Sequence, residues 1–258
     1  MQFTDAQMSQ WLADFFWPLL RIAAMLTAAP IFSVRQVPVR FRMVLALMIT
    51  LLVQPLLPAT PVIDMFSPEA LLIAGQQIAI GAALGLLLQM AFNALIIGGQ
   101  VMAFSMGLGF ASMMDPANGV QVPVVAQFWL ILAMLAFLWM NGHLVLIGAI
   151  ADSFAVLPVA VDGFGRAGIW DLLAWGSRMF AAGLLMALPV VISLLLVNIG
   201  MGVITRAAPQ LNIFAVGFPI TLTLGFLLIW FTLPQVMVNF GNLVGEAFTH
   251  SADVLSPR

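Results

Sequence analysis

ALLIAGQQIAIGAALGLLLQMAFNALIIGGQVMAFSMGLGFASMM, residues 70–114, passes without a single charged residue. A helix crossing a bilayer needs roughly 20 apolar residues. This run is too long for one crossing and short for two joined by a proper loop. Its first part, from Leu71 to Gln100, reads as a good helix. Within it Gly81 and Gly85 form a G-xxx-G pair that lets another backbone approach closely. Gln76, Gln77, Gln89, Asn93 and Gln100 lie in the same run. Amides at such depth are expected to face protein or water rather than lipid.

The rest of the chain repeats the pattern. Charge is absent from Met43 to Ile63, Pro116 to Ala151, Met179 to Thr205 and Ala207 to Gly245. Of the 258 residues 63% are hydrophobic and 7% charged, with a mean hydropathy of +1.14, whereas soluble domains carry about 25% charged residues. This is the composition of an integral membrane protein. The apolar runs are continuous rather than alternating in segments of about ten, which selects helices over a barrel. The fold class expected is all-α and polytopic, with about six long, kinked helices in one domain.

The first helix is expected from about Asp5 or Met8 to Ile31, bent or ended by Pro18 and Pro30. No cation precedes Arg21, so the segment lacks the basic start of a cleavable signal and reads as retained. SVRQVPVRFR then places Arg35, Arg40 and Arg42 in one short connection. The positive-inside rule makes this loop cytoplasmic and the N-terminus external. Orientation alone accounts for these arginines, and the sharper reading is contact with a cytoplasmic partner or anionic lipid. Helix 2 is expected from Met43 to Leu57. A fourth helix is expected from about Pro123 to Ile150, and Asp152 to Asp171 reads as an outer connection. Helix 5 is expected from Trp175 to Ile204 and helix 6 from Ile213 to Phe248, broken or bent at Pro219 and Pro234. TRAAPQLN, with Arg206 and Pro209, turns the chain between them on the cytoplasmic side.

Several chemistries are excluded or weak. A formal charge of −2 leaves no basic face for nucleic acid. With Cys 0 there is neither a disulfide nor a thiolate metal site. His143 suits a hydrogen-bonded interhelical histidine better than a metal ligand. Ser105, Ser112 and His143 lack the motif of an intramembrane serine hydrolase. No cofactor or metal is expected.

The stretch MGLGFASMMDPANGVQVP, residues 106–123, has too much Gly and Pro for a good helix. Asp115 stands in MDPANG, where an Asp cap, the fixed φ of Pro116 and a positive φ at Gly119 make a turn. A structural Asp is favoured there over the ionisable centre of a proton- or solute-coupled transporter, which is the alternative reading. Non-helical backbone at membrane depth persists only where protein buries it or water lines it. Met106, Phe110, Met113 and Met114, on a backbone interrupted by Gly107 and Gly109, are adaptable enough to close a hole.

GLGFASMMDPANGVQVPVVAQF and MGVITRAAPQLNIFAVGFPITLTLG, together with the arginine-bearing first loop, resemble the FliR family of flagellar biosynthetic proteins and its counterparts in virulence type III secretion. The resemblance covers nearly the whole chain. It implies a non-enzymatic subunit of an export gate in the bacterial inner membrane at the flagellar basal body. One copy would stand beside five FliP-like and four FliQ-like subunits and meet an FlhB-like partner near Arg206, and unfolded export substrates would pass through. It also implies a FliP-like part over residues 1–171 and a FliQ-like hairpin over 172–250. Much of such an assembly stands above the bilayer, so not every apolar segment need cross lipid. A loop at 106–122 would plug the closed channel. Phe110, Met113 and Met114 would seal it, Gly107 and Gly109 would act as hinges, and Asp115, Pro116 and Gly119 would shape the turn.

Overall fold

The computed structural model describes residues 5–34, 37–58, 60–61, 63, 67–109, 124–161, 163–208 and 213–255, with side chains from residue 10 in the first helix and residue 216 in the last. Seven α-helices occur among the described residues: α1 Asp5–Ala28, α2 Val39–Val53, α3 Pro68–Ser105, α4 Val124–Trp139, α5 Gly142–Val156, α6 Arg166–Ala207 and α7 Ile213–Leu255. A 3-10 turn, Gln54–Leu56, extends α2. Among the described residues, five helices are long and apolar enough to cross a membrane, and α4 with α5 makes a sixth candidate if counted as one broken span.

Three helices far outrun a bilayer. At 1.5 Å per residue, the 38, 42 and 43 residues of α3, α6 and α7 extend roughly 57–65 Å, about twice the hydrocarbon thickness. Counting charge-free residues therefore underestimates α6 and α7. α6 begins at Arg166 rather than near Trp175, and α7 continues past Phe248 to Leu255. Prolines do not end them: Pro18, Pro189, Pro219 and Pro234 all lie inside helices.

Two sequence expectations are corrected. The fourth helix is not continuous, because Asn141 adopts a left-handed φ of 56° between α4 and α5. Asn is among the few residues that tolerate this conformation. The connection expected over Asp152 to Asp171 shrinks to residues 157–165, since α5 carries Asp152 on an exposed position and α6 has already begun before Asp171.

The chain divides into two compact units. The first comprises residues 1–90, 138–176 and 244–258. Its α1 buries a stripe at helical spacing, Ala13, Trp17, Arg21 and Met25. α3 contributes Ala70, Ile73, Gln77, Ile80 and Leu84, and α5 contributes Leu146, Ile150, Ser153 and Phe154. Arg21 stands where these stripes meet, fully buried at 0% exposure. Its Nε donates to Gln77 Oε1 at 2.8 Å, Nη1 to Ser153 Oγ at 3.0 Å and Nη2 to the Leu157 carbonyl at 2.8 Å. Its guanidinium lies 3.9 Å over the Phe154 ring. A planar, delocalised cation with forked donors can be held by neutral acceptors and a π face where an ammonium could not.

Gly81 and Gly85 do what their spacing suggests. A Cβ on Gly81 would run into the Arg21 carbonyl oxygen, and one on Gly85 would stand 2.7 Å from that of Met25. The close approach of α3 to α1 thus sets the reach from Gln77 to Arg21. The amides also behave as expected, since none of the five is exposed. Gln76 Oε1 accepts from the Phe164 amide at 2.8 Å. Asp14 ties the connection between α2 and α3 to α1, its Oδ1 accepting from the Thr60 hydroxyl at 2.6 Å and from Gln10 Nε2 at 2.8 Å.

The second unit comprises residues 91–137 and 177–243. At its centre Phe92 meets Phe137 and Phe240 edge to face, with ring centroids 5.6 and 5.2 Å apart. Ala126, Trp129 and Ala133 of α4, Ala187, Val190 and Leu194 of α6, and Val236 of α7 are buried in the same unit.

Arg21→Met keeps the volume but strands the acceptors of Gln77 and Leu157, so we expect a loss of about 2–4 kcal/mol of stability. Unfolding of the full chain by denaturing detergent measures it; a loss below about 0.5 kcal/mol, the range of an uninvolved surface change, contradicts the clamp.

Candidate functional site

The expected pore loop begins where α3 stops, and the structure shows how it stops. The Gly107 amide donates to the Phe104 carbonyl at 3.1 Å, and the Leu108 amide reaches back to the Ala103 carbonyl at 3.0 Å. Gly107 takes a φ of +85°. This paired pattern around a left-handed glycine is a Schellman cap, which satisfies carbonyls that the end of a helix would otherwise leave orphaned. A side chain at Gly107 would be strained by its φ, and its Cβ would stand 3.3 Å from the Phe218 ring of α7.

Met106, immediately before the cap, is fully buried at 0% exposure. It occupies the space that a Cβ on Gly225 of α7 would need, which would lie 2.5 Å from Met106 Cγ and 3.0 Å from its Sδ. The absent side chain of Gly225 is therefore a notch, and the flexible thioether fills it. A Cβ on Gly109 would stand 2.6 Å from the ring of the exposed Phe104. Among the expected loop residues, the structure thus brings Met106, Gly107 and Gly109 together with Phe104, Phe218 and Gly225 in the second unit. Phe110, Met113, Met114, Asp115, Pro116 and Gly119 lie outside the described residues.

The expected cytoplasmic cations divide in the same way. Arg35 and Pro209 lie outside the described residues. Arg42 is half-buried, its Nη2 and Nε donating to the Val37 carbonyl at 3.0 and 3.3 Å, so it stitches the start of α2 to the preceding turn. Arg40 is exposed. Arg206 is exposed in the last turn of α6, where the helix dipole favours a cation.

No group of three or more His, Asp or Glu able to hold a metal occurs among the described residues. His143 is half-buried, and its Nδ1 finds no hydrogen-bond partner among the described residues. Arg21 is the residue that motif reading passed over. Its signal was available: a lone ionisable side chain inside an apolar helix marks a polar site by default.

Fold and site define a polytopic helical membrane protein in which α3 ends in a cap at Gly107 with Met106 seated against α7. Residues 12–247 match the family described as bacterial export proteins, family 1. The chain is 43% identical over 256 residues to the flagellar biosynthetic protein FliR of Escherichia coli strain K12, covering 99% of this chain and 98% of that protein. It is 41% identical over 258 residues to FliR of Pectobacterium carotovorum, with the same coverage, and 30% identical over 232 residues to FliR of Bacillus subtilis, covering 89% of each. The chain belongs to this export-protein family, among the FliR proteins.

The absence of cysteine allows single-cysteine labelling without background. Met106→Cys should react slowly with a maleimide compared with Phe104→Cys. Gly225→Leu overpacks the notch, at a typical cost of about 1–3 kcal/mol, and should raise labelling at position 106 by about ten-fold or more. Equal labelling at 104 and 106 in the otherwise unaltered chain would contradict the anchor.

Proposed function

We propose that this chain is a channel-forming subunit of a flagellar type III protein export gate in the bacterial inner membrane, at the basal body. Its partners are FliP-like and FliQ-like subunits, one copy beside five and four of these, and an FlhB-like protein near Arg206 at the cytoplasmic entrance. Unfolded flagellar subunits are the cargo. The chain acts as a conduit and not as an enzyme, and its site requires no cofactor.

The observation that carries the reading is the terminated α3. The cap at Gly107 and the seat of Met106 against α7 form a fixed point, and the apolar sequence Phe110 to Met114 with the turn sequence MDPANG follows directly from it. A gate for unfolded chains must seal against ions yet yield to a polypeptide. A Met- and Phe-rich stopper on a glycine-bounded tether meets both demands, because it is displaced without melting a helix. In this reading residues 106–122 are the plug, with Met106 as its anchor and Phe110, Met113 and Met114 as its seal. Asp115, Pro116 and Gly119 shape the turn. Residues 1–171 form a FliP-like part and 172–250 a FliQ-like hairpin, whose arms are α6 and α7. Arg35, Arg40, Arg42, Arg206 and Pro209 face the cytoplasm.

Deleting Gly107 to Asn118 tests the plug. In cells that still assemble the complex, ion leakage across the inner membrane should rise several-fold, whereas unchanged leakage would remove the sealing role.

A further inference from the structure

We infer that the exposed side of α2 is a seat for one anionic phospholipid, with Arg40 holding the headgroup phosphate. α2 has two sharply different faces. Ala46, Ile49, Thr50 and Val53 are buried, and the helix packs on α1. On the opposite side Val44, Met48 and Leu51 follow Arg40 at helical spacing and are 51%, 60% and 57% exposed, with Phe41 and Leu52 flanking them at 59% and 72%. A helix facing water would carry polar residues there. This one carries a single cation at its first turn and hydrocarbon thereafter.

The dimensions fit one leaflet. From Arg40 to Leu51 the helix rises roughly 17 Å at 1.5 Å per residue, and half of a hydrocarbon core is about 15 Å. A phosphate at Arg40 thus leaves an acyl chain the length of the Val44, Met48 and Leu51 stripe. Charge complementarity selects the headgroup. Arg42 is occupied by the Val37 carbonyl, whereas Arg40 makes no hydrogen bond or ion pair among the described residues. The stripe also argues against a second helix as occupant. Helix pairs in membranes favour small residues that let backbones approach, as Gly81 and Gly85 do against α1, and the stripe has only Phe, Val, Met and Leu. The seat depends on the membrane placement in the proposed function but not on the plug, so the lipid test and the leakage test fail independently.

Native mass spectrometry of the full-length chain, purified in detergent with equal phosphatidylglycerol and phosphatidylcholine, reads the seat directly. One phosphatidylglycerol should be retained in preference. A basic residue near an anionic lipid surface contributes enough to expect Arg40→Gln to lower that preference about five-fold. Arg40→Lys should keep most of it, and Arg206→Gln should leave it unchanged. Met48→Gln should reduce retention of both lipids. An unchanged preference in Arg40→Gln, or an equal loss in Arg206→Gln, overturns the proposal. So does a photo-crosslinker at position 48 that captures protein in place of lipid in cell membranes.

Discussion

In a chain this apolar, water is scarce around most of the backbone, and every polar group that leaves it must be satisfied by the chain itself. Arg21 is the severest case. A cation is placed at 0% exposure among apolar stripes, and all three hydrogen-bond acceptors around it are neutral. The Phe154 face supplies the remaining electrostatic support. Those acceptors come from α3, from α5 and from the residue after it, so satisfying one side chain fixes three segments of the first unit. The glycine contacts between α1 and α3 belong to the same constraint. Without the close approach at Gly81, Gln77 would not sit within 2.8 Å of Arg21.

The same rule shapes the candidate site. A helix that ends in apolar surroundings must dispose of its last carbonyls, and the Schellman cap at Gly107 does so without water. Met106 then fastens that end to α7 through the notch at Gly225. The end of α3 is thus both capped and packed against α7. In the export-gate reading this matters, because a stopper that yields to cargo needs a base that does not move with it.

Much of this was legible in the sequence. Long charge-free runs gave the helical membrane class, the G-xxx-G pair marked a real backbone approach, and the amides of α3 are withheld from exposure as expected. Helix ends were less legible, because α3, α6 and α7 are set by continuous hydrogen bonding well beyond the span of one bilayer and not by where charge stops. The break at Asn141 was written in the dipeptide Asn141-Gly142, a turn signal masked by the hydrophobicity on either side. That Gly107 caps α3 was not legible in the sequence, because the cap depends on hydrogen bonds back to Ala103 and Phe104. Arg21 was overlooked because orientation rules count cations in loops, and this one lies inside a helix. The seat of Met106 had no local signature, since it depends on a glycine more than a hundred positions away in the chain.

The central claim of the functional reading is that the segment following the end of α3 lies inside a protein tunnel. The most direct measurement places a photo-crosslinking residue at Met113 in cells carrying the assembled export apparatus, with and without a stalled substrate. The account predicts adducts to the FliP-like partner at rest and to the substrate when it is stalled. Adducts to phospholipid in both states would contradict it.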